Sequence, residues 1–478
     1  MIVLYIVLAL LVVLLAVLLI NTARKTAGAR KLKPAEAQYS DAQIQNYAER
    51  LGKMIQCPTV SVKGSYDDTA FAQLRETMQE LFPTVHARAE KLTFSDDCWI
   101  YKIEGKDKSR NIMLMSHHDV VAAEGEWSHA PFAAEICDGK IWGRGTVDTK
   151  TPLFAEFSAL EELLSEGYLP PCNVYIGSSH NEELGGDGIP TALKYFREQG
   201  ITFEVILDEG GAVIEPPLGG MHCEKCAMVA VHEKGRYKLE CTATAENAHA
   251  SLTAAAKATP IERMTDFIHE VRTKDIFIRR LNPQVTAMFT YLAPYCAFPM
   301  KVLFSNLWLF GGLLKAVMPK LNAQAGGLIG TTCAFGTLEG STESKKCTAT
   351  VMLRSVDEAD MQADIAALRA VAEKYGITVK VLPESEYHGP ADMTRPAFAY
   401  TMDCIGKVFP QHPASPFILP AGTDARTLTD VCDCVLRFAP IQLSAQQLAS
   451  VHAENENIDV SAVAQAVQFY KLFLKNYK

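Results

Sequence analysis

The chain opens on an unbroken apolar run and then settles into shorter periods. Residues Ile2 to Ile20 are uncharged and apolar. That length is enough to span a bilayer, whose hydrocarbon core needs about 20 residues of helix. A basic, Ala-rich stretch at 22–39 follows and reads as a linker. After Ser40, apolar residues recur at Ile44, Tyr47, Leu51 and Ile55, one face of a helix that Pro58 closes. Phe71, Leu74, Met78 and Leu81 mark a second helix, ending near Pro83. The run from Asn111 to Ser116 is nearly all apolar and predicts a strand buried on both faces. Leu153, Phe154, Phe157, Leu160 and Leu164 predict a helix, Asn173–Gly177 a strand, Ile189–Arg197 a helix and Phe203–Leu207 a strand. Strands alternating with helices imply a mostly parallel sheet covered on both faces, an α/β domain.

The texture changes near Gly235. Arg236–Thr244 alternates as a half-exposed strand would, and a helix follows around Pro260–Arg272. A strand at Thr348–Arg354, a helix at Ala359–Tyr375 and a strand at Ile377–Leu382 come later, an arrangement that suggests a β-α-β-β-α-β order. That order predicts an inserted α+β, ferredoxin-like domain. From about Pro396 the α/β pattern resumes with a helix, the strand Cys434–Phe438 and a final helix from Val460 to Leu474. The expected division is a transmembrane anchor at 1–21, a linker at 22–39, the α/β domain at 40–234 and 386–478, and the insert at 235–385. One segment stands out, Phe298–Met318, rich in Leu, Phe and Trp. Lys301 and Lys315 bracket only 13 residues of it, too few for a span, so a buried element of the insert is expected. A hydrophobic wall over a site or a membrane-facing patch are the other readings.

Composition narrows the classes. A chain of 478 residues, 48% apolar and 21% charged, is ordinary globular protein with room for two domains. Its net charge of −9 argues against a nucleic-acid surface. Arg24, Lys25, Arg30, Lys31 and Lys33 follow the apolar run, and no basic side chain precedes it. This predicts an uncleaved single-pass anchor with the large C-terminal part in the cytoplasm. The alternative, a cleaved signal, would want a basic n-region and a small-x-small cleavage site, and neither is clear. The 13 cysteines are scattered, and Cys223 and Cys226 form a lone CxxC without the second pair of a zinc knuckle. Dispersed cysteines fit a reducing compartment.

The chemistry gathers around Glu182-Glu183, which end an apolar, β-prone run and precede Gly185-Gly186. Adjacent Glu residues on an extended backbone point to opposite sides, so one can hold a metal while the other moves a proton. Alone, such a pair is most often a solvated loop feature. Five further groups keep it company: His117-His118-Asp119, Asp148 in Gly143-Arg-Gly-Thr-Val-Asp-Thr-Lys150, Asp208, His249 and His452. Most fall at the C-terminal ends of predicted parallel strands, where open α/β sheets place their sites. Two His and three carboxylates suit zinc. Five ligands exceed one tetrahedral site, and a pair of zincs sharing a bridging carboxylate would use them all. Asp119 could accept a hydrogen bond from the imidazole of His117.

Taken in order, these motifs resemble a known family. Ser116-His-His-Asp-Val-Val121, Trp127 with Pro131-Phe132, Gly143-Arg-Gly-x-x-Asp-x-Lys150, Glu182-Glu183 with Gly185-Gly186, Asp208-Glu-Gly and His452-x-x-Asn-Glu456 look like the M20 metallopeptidases. Gly177-Ser-Ser-His-Asn-Glu-Glu183 and Gly422-Thr-Asp-Ala-Arg426 are similar to runs of the branch that holds carboxypeptidase S and the N-acyl amino acid hydrolases. The resemblance spans nearly all of 40–478, and an N-terminal hydrophobic segment is common in that branch. It implies that the α/β domain is catalytic and that the insert is a lid or dimerisation-type domain, with a homodimer among the assemblies. It implies two Zn2+ per chain. His117 and Asp208 would hold one, Glu183 and His452 the other, and Asp148 would bridge them. Glu182 would be the general base, and Asp119 would orient His117. His249 would stabilise the oxyanion. Arg354 would grip the substrate's free carboxylate, with Arg426 as a second candidate.

The chain departs from the family pattern in three places. Asn181 stands where an Asp is usual, Ser344-Lys-Lys-Cys-Thr348 replaces an Asn-Val-x-Pro run, and Ser355-Val-Asp follows Arg354 instead of a Pro-Gly turn. The expected activity is hydrolysis of the amide bond to a C-terminal amino acid in a short peptide or an N-acyl amino acid. An aminoacylase, dipeptidase or deacetylase of the same fold is the nearest alternative, and a non-catalytic zinc-binding module a more distant one.

Overall fold

The computed structural model describes all residues of the chain except Ala37, Leu218, 246–258, Asn322 and 342–344. The chain divides into a larger unit, Met1–Val231 with Ala287–Ser305 and Pro390–Lys478, and a smaller one, His232–Thr286 with Asn306–Gly389.

The larger unit is built on a nine-stranded sheet. Its centre is parallel: Cys172–Ser179, Asp107–His117, Val205–Asp208 and Val435–Arg437 lie side by side in one direction. Every residue of Cys172–Ser179 is buried, which is why this strand reads as an apolar run and does not alternate. The flanks are antiparallel, with Cys98–Ile103 and Glu90–Phe94 on one side and Cys226–Glu233 on the other. The sheet is therefore mixed, with a parallel centre and antiparallel flanks. Helix Lys150–Ser165, buried along most of its length, packs between the sheet and the C-terminal helix Val460–Asn476. Helix Asp41–Ile55 starts at a capping box in which Ser40 and Gln43 satisfy each other's backbone N–H groups.

The register brings chemistry to one edge. Ser116 lies opposite Ser178 and His117 opposite Ser179, so His117 ends its strand beside the turn that carries Glu182 and Glu183. Arg437 pairs with Asp208, and Phe438 N donates to the Asp208 carbonyl at 2.7 Å.

One helix among the described residues, Ile2–Thr26, is long and apolar enough to cross a membrane, a property that membrane spans and signal sequences share. It runs past the apolar segment into the expected linker. Arg24 and Lys25 in its last turn complement the helix dipole there.

The smaller unit is ferredoxin-like. Its four antiparallel strands run in the order Thr332–Glu339, Lys346–Ser355, Gly235–Thr244, Ile377–Val381. Helices Pro260–Thr273 and Glu358–Lys374 supply Met264, Phe267, Ile365 and Leu368 to its core. Phe298–Met318 differs from the buried element expected within the insert. It forms two helices, and the first, Phe298–Ser305, belongs to the larger unit, where Phe304 stacks on Phe289 at 4.6 Å. The second, Leu307–Leu321, buries only Gly311, Leu314 and Met318.

Candidate active site

His117 is fixed from both sides of its ring. Nδ1 lies 3.0 Å from the Asp119 carbonyl and 3.3 Å from its carboxylate, and Nε2 lies 2.9 Å from Asp148 Oδ1. Asp148 uses its other oxygen as well: Oδ2 is 3.0 Å from His452 Nε2, which is also 3.0 Å from Glu183 Oε2. Asp148 thus stands between two imidazoles. Ligand atoms of His117, Asp148 and Glu183 lie within 4.8 Å of one another.

Two buried carboxylates hold the loops that present these groups. Asp119 accepts from the backbone N–H of Glu182 and of Glu183, each at 3.2 Å, one per oxygen. Glu456 accepts from Arg144 Nη1 at 2.6 Å and from the N–H groups of Gly145, Val147 and Asp148 at 3.1, 2.7 and 3.1 Å. The clamped loop turns through Gly145 at φ +88°, where a Cβ would lie 2.8 Å from Val120 Cγ1. Asp208 is buried and directs its oxygens to the N–H of Glu209 at 2.9 Å and of Ala425 at 3.1 Å. It stands outside the tight set of His117, Asp148 and Glu183.

The description "Peptidase family M20/M25/M40" matches residues 113–476, a stretch that holds every one of these groups. The chain belongs to that family. Along its sequence it is 28% identical over 481 residues to the N-fatty-acyl-amino acid synthase/hydrolase of Xenopus tropicalis, covering 98% of this chain and 93% of that protein. It is also 28% identical over 488 residues to a carboxypeptidase S-like protein of Dictyostelium discoideum, at 98% and 92% coverage. In fold it is similar to an M20 metallo-carboxypeptidase of Sulfolobus solfataricus, with TM-score 0.62, 19% identity and coverage of 91% and 99%. A dinuclear metal-binding M20 peptidase of Bacillus subtilis gives 0.53 at 11% identity, with coverage of 91% and 100%. M20 peptidases are metal-dependent hydrolases.

The donor set of this M20 chain fits a cation. Glu183 Oε1 is buried with no hydrogen-bond partner. Burial and the neighbouring Asp424 push Asp208 up to about 7, against the lowering effect of its hydrogen bonds and of Arg437. Asp424, itself raised to about 6 by burial, accepts from Ser179 Oγ. Burial raises Asp148, but the hydrogen bonds from His117 and His452 outweigh it and hold it well below the usual carboxylate range. His452 is pushed up to about 10 by Asp148 and Glu183, and a cation on the same atoms would take that proton's place. Burial raises Glu182 well above an ordinary glutamate, and Asp424 and Asp148 add to the rise against the lowering effect of His117.

Arg426 donates Nη1 to the Thr423 carbonyl at 2.6 Å, and a Cβ on Gly185 would lie 4.0 Å from its Nη2, so it stands beside the Glu182–Glu183 turn. Arg354 lies on Lys346–Ser355 in the smaller unit, opposite Arg236. His249 lies outside the described residues. Of the remaining histidines, His118 is a packing group: it stacks on Trp99 at 3.9 Å, and burial lowers it to about 4. Asn181 donates Nδ2 to Asp187 Oδ1 at 3.1 Å.

Sequence reasoning missed Glu456, Arg144, Asp424 and Glu209 as parts of the site. All four lie inside the motifs that carry the family resemblance, and that position was the available signal. Glu209 is raised by burial and by Asp148 and Asp208.

Proposed function

We propose that the chain is a two-zinc amide hydrolase that cleaves the bond before a C-terminal amino acid in a short peptide or an N-acyl amino acid. The observation that carries the reading is Asp148 offering one oxygen to His117 and the other to His452, next to the unpartnered Glu183 Oε1. His117 and Asp208 would hold one zinc, Glu183 and His452 the other, and Asp148 both. Bound there, zinc would supply Lewis-acid polarisation of the scissile carbonyl and lower the pKa of an attacking water.

The chain's own residues do the rest. Asp119 fixes the His117 ring through Nδ1, leaving Nε2 for the metal side. By holding the N–H groups of both glutamates it also aims Glu182 and Glu183 from one anchor. A half-buried Glu182 with a raised pKa suits a group that takes a proton from water and passes it to the leaving amine near neutral pH. Arg426 stands beside that turn and is the better supported grip for the substrate carboxylate, with Arg354 as the other candidate. His249 would stabilise the oxyanion from the inserted domain, which acts as a lid. The helix Ile2–Thr26 is read as a single-pass anchor with the catalytic part in the cytoplasm.

The test pairs turnover with metal content. Glu182→Ala should cost at least roughly 10² to 10⁴ in kcat, the usual worth of a general base, while zinc per chain stays unchanged by elemental analysis. Retained turnover would sink the assignment. A panel of N-acyl amino acids and dipeptides sharing the same C-terminal residue separates the acyl-amino acid reading from the peptidase one.

A further inference from the structure

The Ile2–Thr26 helix leaves most of its apolar surface uncovered, and its buried residues, Leu18 and Thr22, lie one turn apart near the C-terminal end. That end packs on Ala293–Tyr295 and Phe298–Ser305. Asn21 Nδ2 donates to the Ser305 carbonyl at 3.0 Å, and Tyr295 Oη donates to the Arg30 carbonyl at 3.0 Å. Asn21 is the first residue after the apolar run. At about 1.5 Å per residue, the run from Ile2 to Ile20 is roughly 28 Å long, close to the hydrocarbon thickness of a bilayer. Ser305 therefore lies level with the point where a spanning helix would leave hydrocarbon.

The chain on either side of Ser305 is apolar and exposed. Phe298 is 63% exposed. Helix Leu307–Leu321 begins after Asn306 alone and exposes Trp308 (62%), Leu309, Leu313 (53%), Val317 and Leu321. Leu309, Leu313, Val317 and Leu321 recur every fourth residue and form one row along the helix. The buried Gly311, Leu314 and Met318 lie on another side, so this helix is apolar on its outward face as well. No Asp or Glu occurs between Asp275 and Glu339, whereas Lys301, Lys315 and Lys320 do. An outward apolar face with an interfacial Trp, lysines and no acids suits the headgroup region of anionic lipid, where lysines reach phosphates on their alkyl stems.

We propose that Phe298–Ser305 and Leu307–Leu321 lie in the headgroup–acyl boundary of an anionic bilayer, as a second membrane contact in addition to the N-terminal span. The proposal rests on the reading of Ile2–Thr26 as that span. The test uses the full chain in phosphatidylcholine–phosphatidylserine vesicles whose acyl chains carry bromine near the carbonyl end. The Trp308 signal is the difference between wild type and Trp308→Phe. The expected result is that brominated lipid quenches this component roughly twofold or more, as an interfacial indole requires. A Leu309→Glu/Leu313→Glu pair should remove that quenching while the chain stays carbonate-resistant and hydrolyses a short soluble substrate at the wild-type rate. An unquenched Trp308 in carbonate-resistant vesicles overturns this inference and leaves the span standing. If that unquenched emission is also blue-shifted, the face belongs to a second copy of the chain. Extraction of the chain by carbonate overturns the span and this inference together.

Discussion

Glu456 is not among the groups expected to bind metal or substrate, yet its bond to the Asp148 N–H helps fix where Asp148 sits. Its two oxygens accept four donors, from Arg144 and from the N–H groups of Gly145, Val147 and Asp148 in the loop that carries Asp148. Both Arg144 and Glu456 are buried, so neither charge has water to fall back on. Glu456→Gln keeps the shape but removes the charge and leaves the guanidinium buried without a counter-ion. Breaking a buried pair from one side costs about 3 to 5 kcal/mol, and loss of a group supporting a metal ligand typically costs about 10- to 100-fold in metal affinity. Urea unfolding and a zinc-competition titration on the same variant should show both losses, and wild-type values in either would mean the loop is held by other contacts. Asp119 makes the companion case. The His-x-Asp spacing made its bond to His117 legible in the sequence. Its grip on the backbone of Glu182 and Glu183 was not, because it joins positions more than 60 residues apart that only the parallel register of Asp107–His117 and Cys172–Ser179 brings together. Asp119→Asn leaves one oxygen where two N–H groups need acceptors, so kcat should fall roughly 10- to 100-fold even where zinc content is kept, read by turnover against elemental analysis.

At the scale of elements, Glu270 shows how an ion network ties helix Pro260–Thr273 to helix Glu358–Lys374. It ends helix Pro260–Thr273 and accepts from Lys374 Nζ at 2.8 Å, Tyr375 Oη at 2.7 Å and Lys274 Nζ at 2.9 Å. Lys374, then Tyr375 and Lys274, lower its pKa from 4.5 to about 2. A carboxylate whose folded pKa is depressed contributes stability that is present above the unfolded value and is lost as pH falls through the folded one. The contribution of Glu270 is thus full above about 4.5 and gone by about 2. Glu270→Gln should lower Tm at pH 7, and the gap to wild type should close between those limits when melting is followed by circular dichroism. A gap that stays constant down to pH 2 would exclude the network as its source. These two helices were legible because their apolar positions keep a 3.6 period. Strand Thr332–Glu339 was not, because it forms the sheet edge, leaves most of its residues exposed and turns only Cys333 and Phe335 inward. The segment Phe298–Met318 misled for the opposite reason: apolar content implies burial only when something packs on every face, and in Leu307–Leu321 three residues alone are covered.

At the scale of the whole molecule, the cysteines and the charges beside the apolar helix bear on which side of a membrane the proposed catalytic groups would occupy. All 13 cysteines are unpaired, including Cys223 and Cys226 and the pair Cys432 and Cys434. A secreted chain of this size with that many thiols would be exposed to oxidation and mispairing, whereas a reducing compartment leaves them alone. The basic residues after the apolar helix point the same way, since positive flanks stay in the cytoplasm. Cys137 and Cys223, both in the larger unit, are half-buried and within reach of a reagent. A membrane-impermeant maleimide should therefore leave the chain unlabelled in intact cells and label it once the membrane is opened, read by a mass shift. Labelling in intact cells would put the catalytic part outside and turn the flanking charges into an exception. The mass of the purified chain reads a separate possibility in the same sample: loss of the first 20 or so residues would make Ile2–Thr26 a cleaved signal, with a helix too short to anchor anything. A cytoplasmic, full-length chain would confine the reaction to acyl-amino acids or peptides already inside the cell, and it would keep Lys301, Lys315 and Lys320 on the leaflet that carries anionic lipid.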